Sequence, residues 1–198
     1  MPGLRLITAP AVEPITLVEA RLHLRIDAAG SPPIHADDTL VTALIKTARN
    51  YLDGREGRLG RALITQTWEL VLDKFPVNEM RIPLPPLQSV TSVKYDPPSG
   101  GEQTVLSSNY IVDAVSSPGW IVPVTGFAWP ATMDTINAVR VRFVSGYGDE
   151  ASDLPDPIKQ AMLLMLGHLY DNRGDEEMPG FPPAIDALLS PYEVVTIT

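Results

Sequence analysis

TQTWELVLDKF, residues 65–75, is where the period of this chain changes. Trp68, Leu70 and Leu72 fall on one side of an extended backbone, and Thr67, Glu69 and Asp73 mostly on the other. That alternation predicts a half-buried β-strand. AVRVRFV (Ala138–Val144) repeats it, with Val139, Val141 and Phe143 set against Arg140 and Arg142. SVTSVKYD (Ser89–Asp96), Tyr110–Asp113 and GWIV (Gly119–Val122) are further strand candidates, separated by PPSGGE and SSPG turns.

On either side of this stretch the period is 3.6. Thr16 opens a short first helix through a capping box with Glu19, with Ile15 placed as a staple and Leu17, Ala20 and Leu24 following. A second helix starts after Asp37-Asp38 and carries Leu40, Val41, Leu44, Ile45, Ala48, Tyr51 and Leu52 on one stripe, ending at Gly54 or Gly57. A third begins at Pro155 or Pro157 and repeats Ile158, Ala161, Met162, Met165 and Leu169, with Leu163, Leu164 and Leu166 widening its apolar face. Such a helix belongs in the middle of a fold. A fourth, short helix is expected at Pro183–Leu189. The order predicts an α+β protein, a small bundle of three to four helices interrupted by a β-rich insertion between the second and third. The expected division is one domain over 1–198, with a helical frame at 15–60 and 154–190, the insertion at 63–146 and a tail at 191–198.

Of the 198 residues, 44% are hydrophobic and 20% charged, enough for a globular core, and there is no cysteine, so disulfides, thiolate metal sites and thiol nucleophiles are excluded. Twenty prolines fall between the periodic segments and read as punctuation. The N-terminus is broken by Pro2, Pro10 and Pro14, and the longest apolar run, AMLLMLG (Ala161–Gly167), is too short to span a bilayer, so a soluble protein without an export signal is expected. A net charge of −9 argues against nonspecific nucleic-acid binding. The charge is uneven: residues 149–177 hold eight acids and two bases, and Lys46–Arg61 five bases and two acids. Oppositely charged surfaces suit a protein that meets other proteins, its own copies included.

No constellation for catalysis stands out. His168, Asp171 and Asn172 share a helix face, but one imidazole and one carboxylate do not make a metal site, and the acids Asp175, Glu176 and Glu177 read as a solvated loop beyond a Gly174 cap. The RGD at 173–175 is too short a match to mean adhesion on a chain without an export signal. GREGRLGR (Gly54–Arg61) follows a helix, whereas a phosphate-cradling fingerprint follows a strand, so it reads as a helix stop and turn. Asp37-Asp38 reads as a pair of caps. Neither His23, His35 nor His168 pairs with a serine in a nucleophile pattern. Trp68 reads as core, while Trp120 and Trp129, in Pro/Gly-rich surroundings, are candidate stacking platforms for a carbohydrate-binding or enzymatic module, with only Asp134 near to supply a carboxylate. Arg140 and Arg142 read either as a phosphate-binding ridge or as the solvated side of a strand.

The ordered series TLVEARLHLRI, ARNYLDGREG, GRALITQTWELVLDKFP, IPLPPLQSVTSVKYD, NYIVD, PGWI, AVRVRFVSGYG, LPDPIKQAMLLMLGHLYDNR and LLSPYE resembles the head–tail connector family of tailed bacteriophages and gene transfer agents, from about Ile15 to Tyr192. The resemblance implies an adaptor, or head-completion protein, with no enzymatic activity and no cofactor. Its copies would dock under the portal protein as a ring of about twelve and join the DNA-filled head to the stopper and tail. DNA would only pass through the channel, no membrane is involved, and assembly takes place in the bacterial cytoplasm before the protein resides in the particle neck. A stopper or tail terminator is the other neck reading, disfavoured by the helical frame. The interface candidates are Arg55, Arg58, Arg61, Arg140, Arg142, Asp149, Glu150, Tyr192, Val194, Val195 and Ile197. The last four belong to SPYEVVTIT (Ser190–Thr198), whose β-branched run suits strand addition to a neighbour such as the portal, or else closure of the chain's own insertion.

Overall fold

A computed structural model describes residues 3–27, 29–30, 33–173 and 180–194. The chain forms two compact units, Met1–Ala11 with Thr65–Tyr147, and Val12–Ile64 with Gly148–Thr198. The first is built of strands, the second of helices.

Eight strands make up the first unit: β1 (Gly3–Thr8), β2 (Gln66–Leu72), β3 (Met80–Ile82), β4 (Leu87–Tyr95), β5 (Gln103–Val105), β6 (Tyr110–Asp113), β7 (Gly119–Pro123) and β8 (Val139–Ser145). Five form an antiparallel sheet in the order β1-β2-β8-β4-β5, and three a smaller one in the order β3-β7-β6. The two alternating stretches are the middle of the large sheet. Trp68 faces Phe143, Leu70 faces Val141 and Leu72 faces Val139 across β2 and β8. β4 continues the same layer with Val93 opposite Val141 and Tyr95 opposite Val139. Val139, Val141 and Phe143 are fully buried. Burying an apolar side chain of this size is worth about 1.5–3 kcal/mol, so the inward face of β8 is the energetic centre of the unit.

The periodic reading places β2, β4, β6, β7 and β8 and passes over β1, β3 and β5. β3 and β5 have three residues each, too few to display a period. β1 sits among prolines, and its partner β2 lies about sixty residues on, so the strand-rich unit also takes in the start of the chain. The small sheet approaches the large one closely at Gly119: a Cβ there would lie 2.5 Å from Leu87 Cδ2 and 2.8 Å from the Asp113 carbonyl. Only glycine leaves that room.

The helical unit contains α1 (Leu17–Leu24), α2 (Asp38–Leu52), α3 (Asp156–Asp171) and α4 (Pro183–Leu189). The Thr16 capping box is formed, with the hydroxyl accepting from Glu19 N–H at 3.1 Å and the Glu19 carboxylate accepting from Thr16 N–H at 2.8 Å. Ile15 beside it is buried. α2 buries Val41, Ile45, Ala48 and Leu52, and α3 buries Ile158, Ala161, Met162, Met165 and Leu166. α3 packs against α1, α2 and α4, the central place its sequence predicts. α1 is different, because Val18 and Leu22, one turn apart, are 70% and 80% exposed.

Charge ties these helices together. Arg21, on α1, is buried and grips Asp38 at the start of α2 with both ends of its fork, Nε donating to Oδ1 at 2.7 Å and Nη2 to Oδ2. Asp38 also accepts from the His35 N–H, and Asp37 from the Tyr170 hydroxyl of α3. The Asp37-Asp38 pair therefore bridges neighbouring helices; neither side chain caps α2, in contrast to the sequence expectation. Lys159 of α3 reaches Glu19 of α1 at 3.1 Å.

Arg21, and after it the His35 N–H, hold the Asp38 carboxyl below the usual carboxylate range. A depressed folded-state pKa means that the unfolded chain takes up the proton first. The contribution is therefore complete above the ordinary aspartate value of about 3.9 and is lost as pH falls through the lower folded value. Urea-unfolding midpoints of the wild type are expected to hold from pH 7 to about 5 and to drop below about 4. Arg21→Met should lower the midpoint at neutral pH and flatten the acid decline. An acid decline unchanged in the variant would show that this pair does not carry it.

Candidate functional site

The outward face of the large sheet holds Arg140 and Arg142, and neither is free. Arg142 lies directly across from Glu69, and Glu69 across from Arg5, so that three neighbouring strands place an acid between two bases. Arg142 Nη2 donates to Glu69 Oε2 at 3.0 Å and Arg5 Nη2 to Oε1 at 2.5 Å. The Glu69 side chain is 5% exposed, whereas those of Arg5 and Arg142 are 65% and 43% exposed. Arg140 bonds Asp96 through Nη1 and Nη2 at 3.0 and 2.6 Å and reaches Glu102 at 3.1 Å, and Glu102 in turn holds Lys94 at 2.7 Å. The Arg140 guanidinium keeps the Asp96 carboxyl below its usual range, and Lys94 does the same for Glu102. These arginines are half-shielded partners of sheet carboxylates. The phosphate-ridge reading gives way to this, because the positive charge is already neutralised by acids of adjacent strands. Glu69, invisible as special in the sequence, is the hub.

GREGRLGR forms the turn after α2 by folding back on it. Arg58 N–H donates to the Tyr51 carbonyl at 2.8 Å and Gly54 N–H to the Arg61 carbonyl at 2.7 Å. A Cβ on Gly57 would lie 2.3 Å from the Asp53 carbonyl oxygen, so the glycine allows the chain to pass its own backbone. Against this turn lies the segment after α4. Arg58 donates to Glu193 at 2.8 Å and to Asp186, Arg61 Nε donates to the Tyr192 carbonyl, and Val194 N–H donates to the Leu59 carbonyl at 3.1 Å. Asp186 is the larger cause that raises the Arg58 pKa. Tyr51 and His168 both set their rings edge-on against Phe181.

The basic segment Lys46–Arg61 is thus largely committed within the chain, since Arg49 pairs with Glu13 at 3.2 Å as well. Lys46 is exposed, and Arg55 contacts its neighbour Glu56 at 3.4 Å with half its side chain in solvent. On the acidic side, Asp149 is exposed, and Glu150 N–H bonds Asp153 at 2.9 Å in a reciprocal cap. The acids Asp175, Glu176 and Glu177, the Gly174 cap, and Val195 and Ile197 lie outside the described residues.

Asn172 Nδ2 donates to the His168 carbonyl at 2.7 Å. Among the described residues no group of three His, Asp or Glu side chains is placed to hold a metal ion, and no helix is long and apolar enough to cross a membrane. Trp68 is core, as its strand position predicts. Trp129 is stacked on Phe75 at 4.9 Å within an aromatic group that includes Tyr95, Tyr110 and Phe127, and its indole N–H donates to the Asn78 carbonyl at 2.8 Å. One face of that ring is therefore covered from within. Trp120 lies between Arg81 and Asp113 on the small sheet, half-buried.

The chain is thus an α+β protein whose sheet and helix charges are paired in ladders and bridges. No protein-family model matches it and no curated protein does. Three solved structures share its fold over nearly the whole length. A chain from the neck of an empty gene transfer agent particle, computed with sixfold symmetry, matches at a TM-score of 0.82 with 22% identity, covering 99% of this chain and 97% of that one. One from the virion of a native gene transfer agent particle matches at 0.77 with 24% identity, covering 98% and 97%. A third, from the neck of the native particle computed with twelvefold symmetry, matches at 0.67 with 22% identity, covering 99% and 97%. At these identities the likeness is one of fold.

The Glu69 hub makes a direct prediction. Glu69→Gln leaves two guanidinium groups facing an uncharged amide at a buried position, and is expected to destabilise by about 1–3 kcal/mol in urea titrations. Arg5→Gln, at an exposed position, should cost under about 1 kcal/mol. Equal effects from the two would contradict the asymmetry of the site.

Proposed function

We propose that this chain is a structural adaptor of the neck of a phage-like or gene transfer agent particle, docked as a ring beneath the portal and joining the head to the stopper and tail. The observation that carries the reading is the fold likeness over 99% of the chain to a particle-neck chain. The two neck structures were computed with sixfold and twelvefold symmetry, and a ring of about twelve copies follows for this chain by analogy. The ordered series of segments from Thr16 to Glu193 supports the same reading independently of coordinates.

Electrostatics fit a neck component. The strand-rich unit holds six bases and seven acids, a formal charge of −1, and the helical unit nine bases and seventeen acids, a charge of −8. A negative helical unit does not retain DNA that must pass it. Heterologous contacts close the ring, and with Arg49, Arg58 and Arg61 engaged internally, the basic side of a charge contact falls to Lys46 and Arg55, against Asp149 and Glu150. Work of this kind is done by interfaces and needs no catalytic group.

Native mass spectrometry of the protein mixed with its portal should show a ring of about twelve copies bound to the portal, and an image of the particle neck should show the same ring. A closed dimer, or no association with the portal, would refute the reading. The double variant Lys46→Glu/Arg55→Glu is expected to weaken ring formation while leaving the unfolding free energy within about 0.5 kcal/mol of wild type.

A further inference from the structure

We propose that the free edge of β1 in one copy accepts residues 194–198 of a second copy as a sixth strand of the large sheet. This deepens the ring reading above and rests on it for bringing copies side by side.

Among the described residues β1 is an edge strand, so every second residue turns its N–H and C=O away from β2 with no described strand to receive them. Edges are usually protected by shortness, proline or an unpaired charge. β5, at the opposite edge, has three residues, and so does β3 at the edge of the small sheet, where Arg81 is exposed. β1 has six residues, GLRLIT, no proline within it, and a single charge, Arg5, already tied to Glu69. The bulge that places Ile7 as the extra residue between Leu6 and Thr8 leaves Gly3–Leu6 in regular register with Val71, Leu70, Glu69 and Trp68. Leu6 lies on the same side as Trp68 and Phe143, which are buried, yet is itself 44% exposed. Among the described residues no strand lies beyond Leu6.

Residues 194–198, Val-Val-Thr-Ile-Thr, alternate in the sense this edge requires. With Val195 and Ile197 beside Leu4 and Leu6, the apolar layer of the sheet continues by one strand. Thr196 then falls on the side of Arg5, the polar side. Five β-branched residues match the four regularly paired residues of β1, and main-chain bonds supply affinity while the alternating side chains set the register. The root of the segment is fixed, with the Tyr192 carbonyl held by Arg61 and Val194 N–H by Leu59, so a strand leaving Val194 starts from a rigid point. Edge and segment are different surfaces, and their pairing is heterologous, the kind of contact that repeats around a ring.

The absence of cysteine allows a clean test. Full-length Leu6→Cys and Ile197→Cys proteins are mixed in equal amounts with the portal present and oxidised mildly. A disulfide-linked heterodimer is expected at least about tenfold above a control in which Thr104→Cys on β5 replaces Leu6→Cys. Ile197→Lys should reduce self-association about tenfold with an unchanged melting temperature. Rings on the portal without the Leu6–Ile197 disulfide overturn the strand exchange and leave the adaptor reading standing. In a further protein carrying both Leu6→Cys and Ile197→Cys, a disulfide formed only within single chains overturns it in favour of closure on the same copy. Linked copies that never bind the portal support the exchange and count against the adaptor.

Discussion

The strand-rich unit hangs on the arrival of one strand. β8 is the last strand among the described residues, yet it lies in the middle of the five-stranded sheet, with β2 on one side and β4 on the other. Its inward residues Val139, Val141 and Phe143 are fully buried, so neither neighbour has its hydrophobic layer completed before residues 139–145 are in place. The same strand delivers the chain to α3, on which α1, α2 and α4 pack. Both units are therefore closed by contacts between segments far apart in sequence. Folding of this kind is set by loop closure more than by local propensity.

Pairing of charge is the second organising constraint. Arg21 is buried on α1 because Asp38 offers both carboxylate oxygens to its fork. Glu69 is buried on β2 because a base stands on each adjacent strand. Arg140 is flanked in the same way by Asp96 and Glu102. A buried charge without a partner would cost several kcal/mol, so the ladders are what permit these residues on half-covered faces. The consequence for function is subtractive. Several arginines that look available in the sequence are spent inside the molecule, while Lys46, Arg55 and Asp149 stay exposed.

The surfaces that remain are edges and apolar positions. Val18 and Leu22 on α1, Ile111 on β6 and Leu6 on β1 are exposed large apolar side chains. A catalytic protein concentrates perturbed and convergent polar groups in a cleft. Here Glu19, Asp38, Asp96 and Glu102 are shifted within ion pairs, and Asp113 by hydrogen bonds from Ser116 and Val115.

The sequence alone determined the elements whose signal is local. β2 and β8 follow from alternation, α2 and α3 from apolar stripes, and the start of α1 from the Thr16–Glu19 box, because burial period and capping act over a few residues. The interruption of a helical frame by strands was legible for the same reason. Tertiary structure alone decided the partners. β1 became an edge strand by pairing with β2 about sixty residues away. Arg58 found Asp186 and Glu193, at separations of 128 and 135 residues. Asp37 and Asp38 turned from caps into bridges once Tyr170 and Arg21 stood beside them. Trp129 was covered by Phe75. Period and propensity are properties of neighbouring residues, whereas an ion pair or a ring stack depends on which distant segment the fold brings within a few ångströms, and nothing in the local pattern encodes that choice.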